Sequence, residues 1–400
     1  VLYRREAFEP LTEAAWEEDR VQTSIRAIVA DADSACHPEL LWPAEDWDAW
    51  DSPLPLKTLY AGAAGVVWAL MVLREGGYAE SRLDLGKVAS RALEAWDEEP
   101  GVLTTLELPQ PARASLFHGE VGILAVLWRL TPNDDVADRL YEHVVANSSN
   151  EANEVFWGAP GTMLAARAML DWTADERWAG AWQESADELW RRRDADGMWT
   201  QRLHGGEARS LGTPHGLVGN VNALLAGDDL LAADRRRTLL EETRSLLTRT
   251  AVVEEGYASW PMAEGRDLIA GDSELRLQWC AGAPGIVTTA ADYLDEELLL
   301  VGAELIWHAG PHAMEKGPNI CHGTAGNGYA LLKAFERTGD ERWLDRARTF
   351  AVHALEQVER WREQRGRGRY SLWTGDVGVA LYAADCLDGK ARYPIFDGWY

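Results

Sequence analysis

Two kinds of hydrophobic run alternate along the chain. The first kind is short and apolar on nearly every helical face. Seven occur: VVWALMVL from Val66, ILAVLWRL from Ile123, TMLAARAML from Thr162, NVNALLAG from Asn220, IVTTAADYL from Ile286, NGYALLKAF from Asn327 and VALYAADCL from Val379. A helix of that kind has to be buried all round. The second kind is longer and charged, with one apolar stripe. It covers roughly residues 12–32, 81–99, 134–146, 175–193, 234–249, 295–308 and 340–361. Trp178, Trp182 and Leu189 show its helical spacing. Several of these runs open on Asp, which suits an N-cap and a first helical turn.

Each all-apolar run follows a Gly-x-x-Gly element. The pairs are Gly62/Gly65, Gly119/Gly122, Gly158/Gly161, Gly216/Gly219, Gly282/Gly285, Gly323/Gly326 and Gly375/Gly378. One such pair means little, but seven in the same context form a repeat. The unit is an amphipathic outer helix, a loop, a glycine turn and an apolar inner helix. Seven inner helices need partners on every side, and a ring wrapped by seven outer helices supplies them. The expectation is an all-α fold, an α/α toroid with seven outer and seven inner helices. Glycine at the turns permits positive φ and close backbone approach. The centre of that end is left open for a site. No Pro/Gly/Ser linker divides residues 1–400, so a single domain is expected, although 400 residues first suggest two or three.

The formal net charge is −26, from 39 Lys and Arg against 65 Asp and Glu. That argues against nucleic acid as a partner, because phosphate binding needs a basic surface. It argues equally against an anionic membrane leaflet. No apolar stretch is long enough to span a membrane and no signal peptide is evident. Four cysteines, Cys36, Cys280, Cys321 and Cys386, are too few for a disulfide framework in 400 residues. A reduced, cytoplasmic protein is the expectation.

Two of those cysteines stand at equivalent turns of the repeat. The fifth turn reads Trp279-Cys280-Ala281-Gly282 and the sixth Cys321-His322-Gly323. The fourth reads Pro214-His215-Gly216. Turns side by side around one mouth bring Cys280, Cys321 and His322 together. Two thiolates and one imidazole with an open fourth position is a catalytic zinc arrangement. Each Cys alone reads as well as a small buried hydrophobe; their matched placement favours Zn2+. Such a site is neutral overall and a weaker Lewis acid than zinc on three neutral ligands, so it suits activation of a thiol better than of water. Trp279, beside Cys280, is expected to wall the pocket.

WCAGAPG and CHGTAGNGYALL resemble the signature segments of the lanthionine synthetase C-like (LanC-like) family, and PHGLVG resembles its histidine-glycine segment. The resemblance extends over essentially the whole chain through the seven glycine turns. It implies a toroid around one zinc ion held by Cys280, Cys321 and His322. It implies an enzyme that adds a thiol to dehydroalanine or dehydrobutyrine. In the bacterial cyclases the thiol is a peptide Cys and the product a lanthionine thioether; eukaryotic-type members add glutathione. His215 matches the catalytic histidine, which either protonates the enolate at Cα or takes the proton of the incoming thiol. Arg276 matches an arginine that polarises the enolate oxygen. Glu154 stands where the bacterial cyclases have Asp, as acid, base or orienter of His215. Lys316 matches a lysine linked to glutathione carboxylate binding. YSLWTGDVG and ARYPIFD also resemble eukaryotic-type segments, while Ala281 replaces the polar residue of relatives. The length matches a standalone member with no kinase or dehydratase segment, so a separate dehydratase, kinase or lyase is an expected partner.

Other features read as bystanders. Cys36-His37 lacks a following glycine pair, and Cys386 falls in the last inner run. His118 borders the second glycine turn and ranks below His215. His143, His308 and His353 lie on outer helices. Arg365, Arg367 and Arg369 form a basic loop read as solvated, or as a contact for an acidic leader. Peptide cyclisation is the leading function and glutathione addition the second. The rivals are a zinc-containing scaffold and a carbohydrate enzyme using Glu154 and Asp376 as paired carboxylates.

Overall fold

The computed structural model describes residues 2–101, 108, 111–203, 205–265 and 276–400. Their element order is α1 (Glu18–Ala35), α2 (Asp46–Ala49), α3 (Ala63–Glu75), α4 (Leu85–Glu98), α5 (Glu120–Leu130), α6 (Asp134–Asn147), α7 (Ala159–Thr173) and α8 (Glu176–Arg191). There follow β1 (Gln201–Leu203), β2 (Gly206–Ala208), α9 (Leu217–Leu225), α10 (Ala233–Thr250), β3 (Val252–Glu254) and β4 (Tyr257–Ser259). The chain closes with α11 (Ala283–Thr289), α12 (Glu296–Ala309), α13 (Thr324–Thr338), α14 (Glu341–Arg365) and α15 (Asp376–Asp388).

The odd-numbered helices from α3 to α15 are the inner ring. Each packs on the next, and α15 packs back on α3, so the ring closes. Helices α1, α4, α6, α8, α10, α12 and α14 wrap it. The α/α toroid expected from the repeat is the fold. The two sets of helices start differently. Asp84, Asn133, Asp175, Asp295 and Asp340 cap outer helices with their side chains. All seven inner helices start on glycine without a side-chain cap.

Close approach is what demands these glycines. A Cβ on either glycine of a pair would collide with the backbone six residues earlier: Gly326 meets the Ile320 carbonyl, Gly285 that of Trp279 and Gly65 that of Leu59. Positive φ, also expected, occurs at the turns only in Gly282 (φ 97°). The turn backbones therefore fold back on themselves tightly enough to bond one another. Tyr60 N donates to Phe117 O (3.0 Å), Val155 N to Pro214 O (3.0 Å), Cys280 N to Cys321 O (3.4 Å) and Cys321 N to Trp373 O (3.0 Å). Trp373 N donates to Tyr60 O (3.4 Å), linking the seventh turn to the first. The Ser115 hydroxyl reaches Phe156 O and the Thr213 hydroxyl reaches Gly285 O. The seven turns thus form one hydrogen-bonded rim.

Aromatic side chains fill the ring beneath that rim. Trp279 stacks on Tyr393 at 4.6 Å, and Phe117, Trp373 and Phe396 pack with them. Two antiparallel hairpins, β1–β2 and β3–β4, were not anticipated. Both lie in the stretches that precede the fourth and fifth glycine turns.

Candidate functional site

The rim encloses a cavity of about 480 Å³. Cys280, Cys321, His322, His215, His118 and Arg276 line it. Its walls include Trp47 and Trp50 on one side and the β1–β2 hairpin on another.

The ligand atoms of Cys280, Cys321 and His322 all lie within 4.8 Å of one another. The bonds between the fifth, sixth and seventh turns create this proximity, although 41 residues separate the cysteines. His322 is held by its own backbone, whose N–H donates to Asn319 Oδ1 (2.8 Å). Its ring meets Trp47 edge to face at 5.4 Å. Two neutral donors address the sulfurs: Gln278 Nε2 to Cys280 Sγ at 2.8 Å and the Tyr60 hydroxyl to Cys321 Sγ at 3.1 Å. Hydrogen bonding from Cys321, with the charge of His322 and the Gln278 amide, holds the Cys280 thiol well below its ordinary range. Two soft sulfurs and an imidazole at this spacing, open to a cavity, are a donor set that fits zinc.

His215 and Glu154 form the second cluster. Glu154 Oε2 lies 2.7 Å from His215 Nδ1, and the Glu154 side chain is wholly buried. The same carboxylate accepts the N–H groups of Phe156 and Trp157, which fixes it in place. Burial opposes charge on His215, but the Glu154 bond and charge outweigh it and raise the imidazole above its ordinary range. With Nδ1 committed to Glu154, Nε2 is the nitrogen left for chemistry. His118 is the reverse case: burial, and then the charge of His215, push it down to about 3. It stacks on Trp157 at 4.8 Å as a neutral ring.

The structure does not bring the two expected substrate-binding residues to this cavity. Trp279 is fully buried in the aromatic stack below the rim. Its neighbour Cys280 faces the cavity, and Trp279 turns the opposite way. Lys316 is also absent from the lining. The tight loop before Cys321 turns Asn319 inward instead, with Asn319 Nδ2 donating to Lys316 O (2.7 Å).

Of the basic loop, Arg365 is exposed, over the Trp361 ring at 5.0 Å, whereas Arg367 and Arg369 are held by carboxylates. Arg369 makes two hydrogen bonds to Asp48 (2.7 and 2.6 Å), and Arg367 bonds Glu45 (2.7 Å). These pairs pin α2 over the metal-type cluster and leave Trp47 and Trp50 exposed at the mouth. Asp376 is buried beside Arg362 rather than at the cavity, and its carboxyl is pushed up to about 6 by that burial. Glu154 and Asp376 therefore do not form a carboxylate pair at the cavity. Cys386 is buried in α15, and burial raises its thiol. His37 closes a local turn by accepting from the N–H groups of Glu39 and Leu40. His143 pairs with Glu120, His353 with Glu9, and His308 stacks on Tyr257. Residues missed at the sequence level are Tyr60, Gln278, Trp47 and Asp48. Of these, only Tyr60 carries a positional signal, two residues before the first glycine.

The fold and site together define the class: a closed seven-fold α/α toroid whose glycine rim carries a Cys-Cys-His cluster and a Glu-backed histidine at one cavity. The lanthionine synthetase C-like protein model matches residues 44–397, and the chain belongs to that family. Glutathione S-transferase LANCL1 of Danio rerio is 28% identical over 197 residues, 47% of this chain and 45% of that protein. LanC-like protein GCL1 of Arabidopsis thaliana is 30% identical over 154 residues, 35% of this chain and 33% of that protein. The matches thus span less than half the length of these curated relatives. Among solved structures, nisin cyclase superposes with a TM-score of 0.63 at 14% identity, covering 94% of this chain and 98% of that one. At that identity the likeness is one of fold.

Proposed function

We propose that the protein is a zinc-dependent lanthionine cyclase that adds a peptide Cys thiol to a dehydroalanine or dehydrobutyrine of the same peptide. The observation that carries the reading is the meeting of Cys280, Cys321 and His322 with the His215–Glu154 pair on one cavity. We assign Cys280, Cys321 and His322 as the residues that would hold Zn2+. When bound, the ion supplies a Lewis-acidic position at which a thiol ionises more readily.

The chain's own residues account for the rest. A C–S bond forms at Cβ of the dehydroamino acid as the C=C bond opens, and the electron pair arrives at Cα and its carbonyl oxygen. His215 Nε2 delivers a proton to Cα, or first accepts it from the thiol, so the sum of atoms is unchanged. Glu154 holds the imidazole in orientation and stabilises its charged form. Arg276 is the cation available to the developing enolate oxygen. The exposed indoles of Trp47 and Trp50 give the mouth an apolar edge suited to a peptide segment.

Addition of glutathione to a dehydroamino acid is the second reading, supported by the partial likeness to the zebrafish transferase. A zinc-containing scaffold that docks a separate dehydratase, kinase or lyase is the third. We read residues 1–400 as one domain, because the inner ring closes through all seven repeats. We place the protein in a reducing cytoplasm, because four cysteines are too few for a disulfide framework in 400 residues. Among the described residues no helix is long and apolar enough to cross a membrane.

Mass spectrometry of a dehydrated, Cys-containing peptide treated with the zinc-loaded protein and glutathione separates the readings. Loss of the alkylatable thiol at constant peptide mass supports cyclisation. A mass gain of one glutathione supports intermolecular addition. No change in either supports the scaffold.

A further inference from the structure

The first glycine turn lies far in sequence from the cysteines and carries no metal-type ligand, yet one of its side chains touches the cluster. The Tyr60 hydroxyl stands 3.1 Å from Cys321 Sγ. Tyr60 is 7% exposed, and its backbone is tied on both sides: its N–H donates to Phe117 O and its carbonyl accepts from Trp373 N–H. The ring lies between Trp373 (5.9 Å, 17° between planes), Phe156 and His118. Across the cluster, Gln278 Nε2 stands 2.8 Å from Cys280 Sγ. Each cysteine sulfur therefore has one neutral, fixed donor of its own.

We propose that Tyr60 is a positioning residue for the metal centre, an O–H donor that orients Cys321 Sγ and withdraws charge from it, with Gln278 serving Cys280 in the same way. The inference rests on the reading of Cys280, Cys321 and His322 as metal ligands. Its physical basis is the charge of the donor set. Two thiolates cancel the charge of a divalent ion, and a metal so neutralised attracts an incoming thiol weakly. A hydrogen bond to a thiolate lowers the energy of its lone pairs, so less of that charge reaches the metal. The metal then retains more pull on a further ligand. Two thiolates can thus grip the ion tightly while leaving it able to acidify a substrate thiol. The placement also gives the ring a mechanical role. Tyr60 joins the second and seventh turns through its backbone and the sixth through its hydroxyl.

The test is Tyr60→Phe, which keeps the ring and its packing and removes only the oxygen. Wild type and variant are loaded with Co2+ alone, and metal content and absorption are read. Both proteins should hold about one Co2+ per chain. The sulfur-to-cobalt charge-transfer band of Tyr60→Phe should lie at longer wavelength than in wild type, because an unbonded thiolate gives up charge more easily. Gln278→Leu should move the band in the same direction, and the double variant should move it further than either. A purely structural role for Tyr60 would change occupancy or stability and leave the band where it was. An unshifted band in fully loaded Tyr60→Phe overturns the inference while leaving the metal assignment intact. Wild type that binds no Co2+ overturns the metal assignment and the inference together. If Tyr60→Phe does not fold, Gln278→Leu decides: an unshifted band in that variant overturns the proposal.

Discussion

Glu154 holds His215 from behind. The wholly buried carboxylate lies 2.7 Å from Nδ1 and spends its remaining capacity on two backbone N–H groups. The imidazole is left with one free nitrogen and a raised proton affinity. Glu154→Gln removes the charge while keeping the shape. It should lower the rate of thioether formation about 100-fold, a typical share for a positioned proton-transfer group. The protein should remain folded and keep its metal. Steady-state kinetics with metal analysis checks both.

The same pair predicts a pH dependence of stability. The folded-state pKa of His215 lies above its ordinary 6.5. The pair's contribution is therefore fully present below pH 6.5 and is lost as pH rises through the raised value. The stability gap between wild type and Glu154→Gln should be largest near pH 6 and shrink toward pH 9. Urea denaturation of both proteins across that range measures it. A gap that widens with pH contradicts the assignment.

The glycines divide into those that are required and those that are not. In Gly326→Ala the new Cβ strikes the Ile320 carbonyl, a backbone atom that cannot move aside. The substitution should cost about 3 kcal/mol, as overpacking of a rigid site does. Gly180 lies exposed within α8 with nothing within 4 Å of its would-be Cβ. Gly180→Ala should instead stabilise by about 0.5–1 kcal/mol through helix propensity. Chemical denaturation of the two variants gives opposite signs.

The Asp48 side chain is 3% exposed and pairs with Arg369, which itself is 15% exposed. Removing one partner of such a pair strands the other charge. Arg369→Ala should release α2 from the rim. Amide hydrogen exchange in residues 45–54 should accelerate at least tenfold, while α13 and α15 exchange as before.

The outer helices and the ring were legible because helical periodicity and glycine spacing both report packing. Asp175, Asp295 and Asp340 marked helix starts in the sequence, and each side chain caps the backbone as the pattern implies. Cys280 and Cys321 were legible as a pair because equivalent turns of a closed ring must adjoin. Trp279 and Lys316 lie off the described cavity lining for a reason sequence spacing does not contain. It shows which turn a residue occupies, not whether its side chain faces the cavity or the ring's interior. The two hairpins were missed because each strand has only three residues, too few for an alternating pattern. Tyr60 went unnoticed because its partner is 261 residues away. Lys316→Ala follows from its position away from the cavity lining and should leave the KM for a thiol substrate within about twofold.

The central claim is that one cavity binds a metal and uses it to join sulfur to carbon. The most direct measurement is the number of alkylatable thiols in a dehydrated, Cys-containing peptide after incubation with zinc-loaded wild type, Cys321→Ala and His215→Ala. The predicted result is loss of the thiol at unchanged mass with wild type. Cys321→Ala should leave the thiol intact and hold no zinc, and His215→Ala should hold zinc but act at least 100-fold more slowly. A thiol that survives wild type, or one lost equally fast with folded, zinc-free Cys321→Ala, would contradict the account.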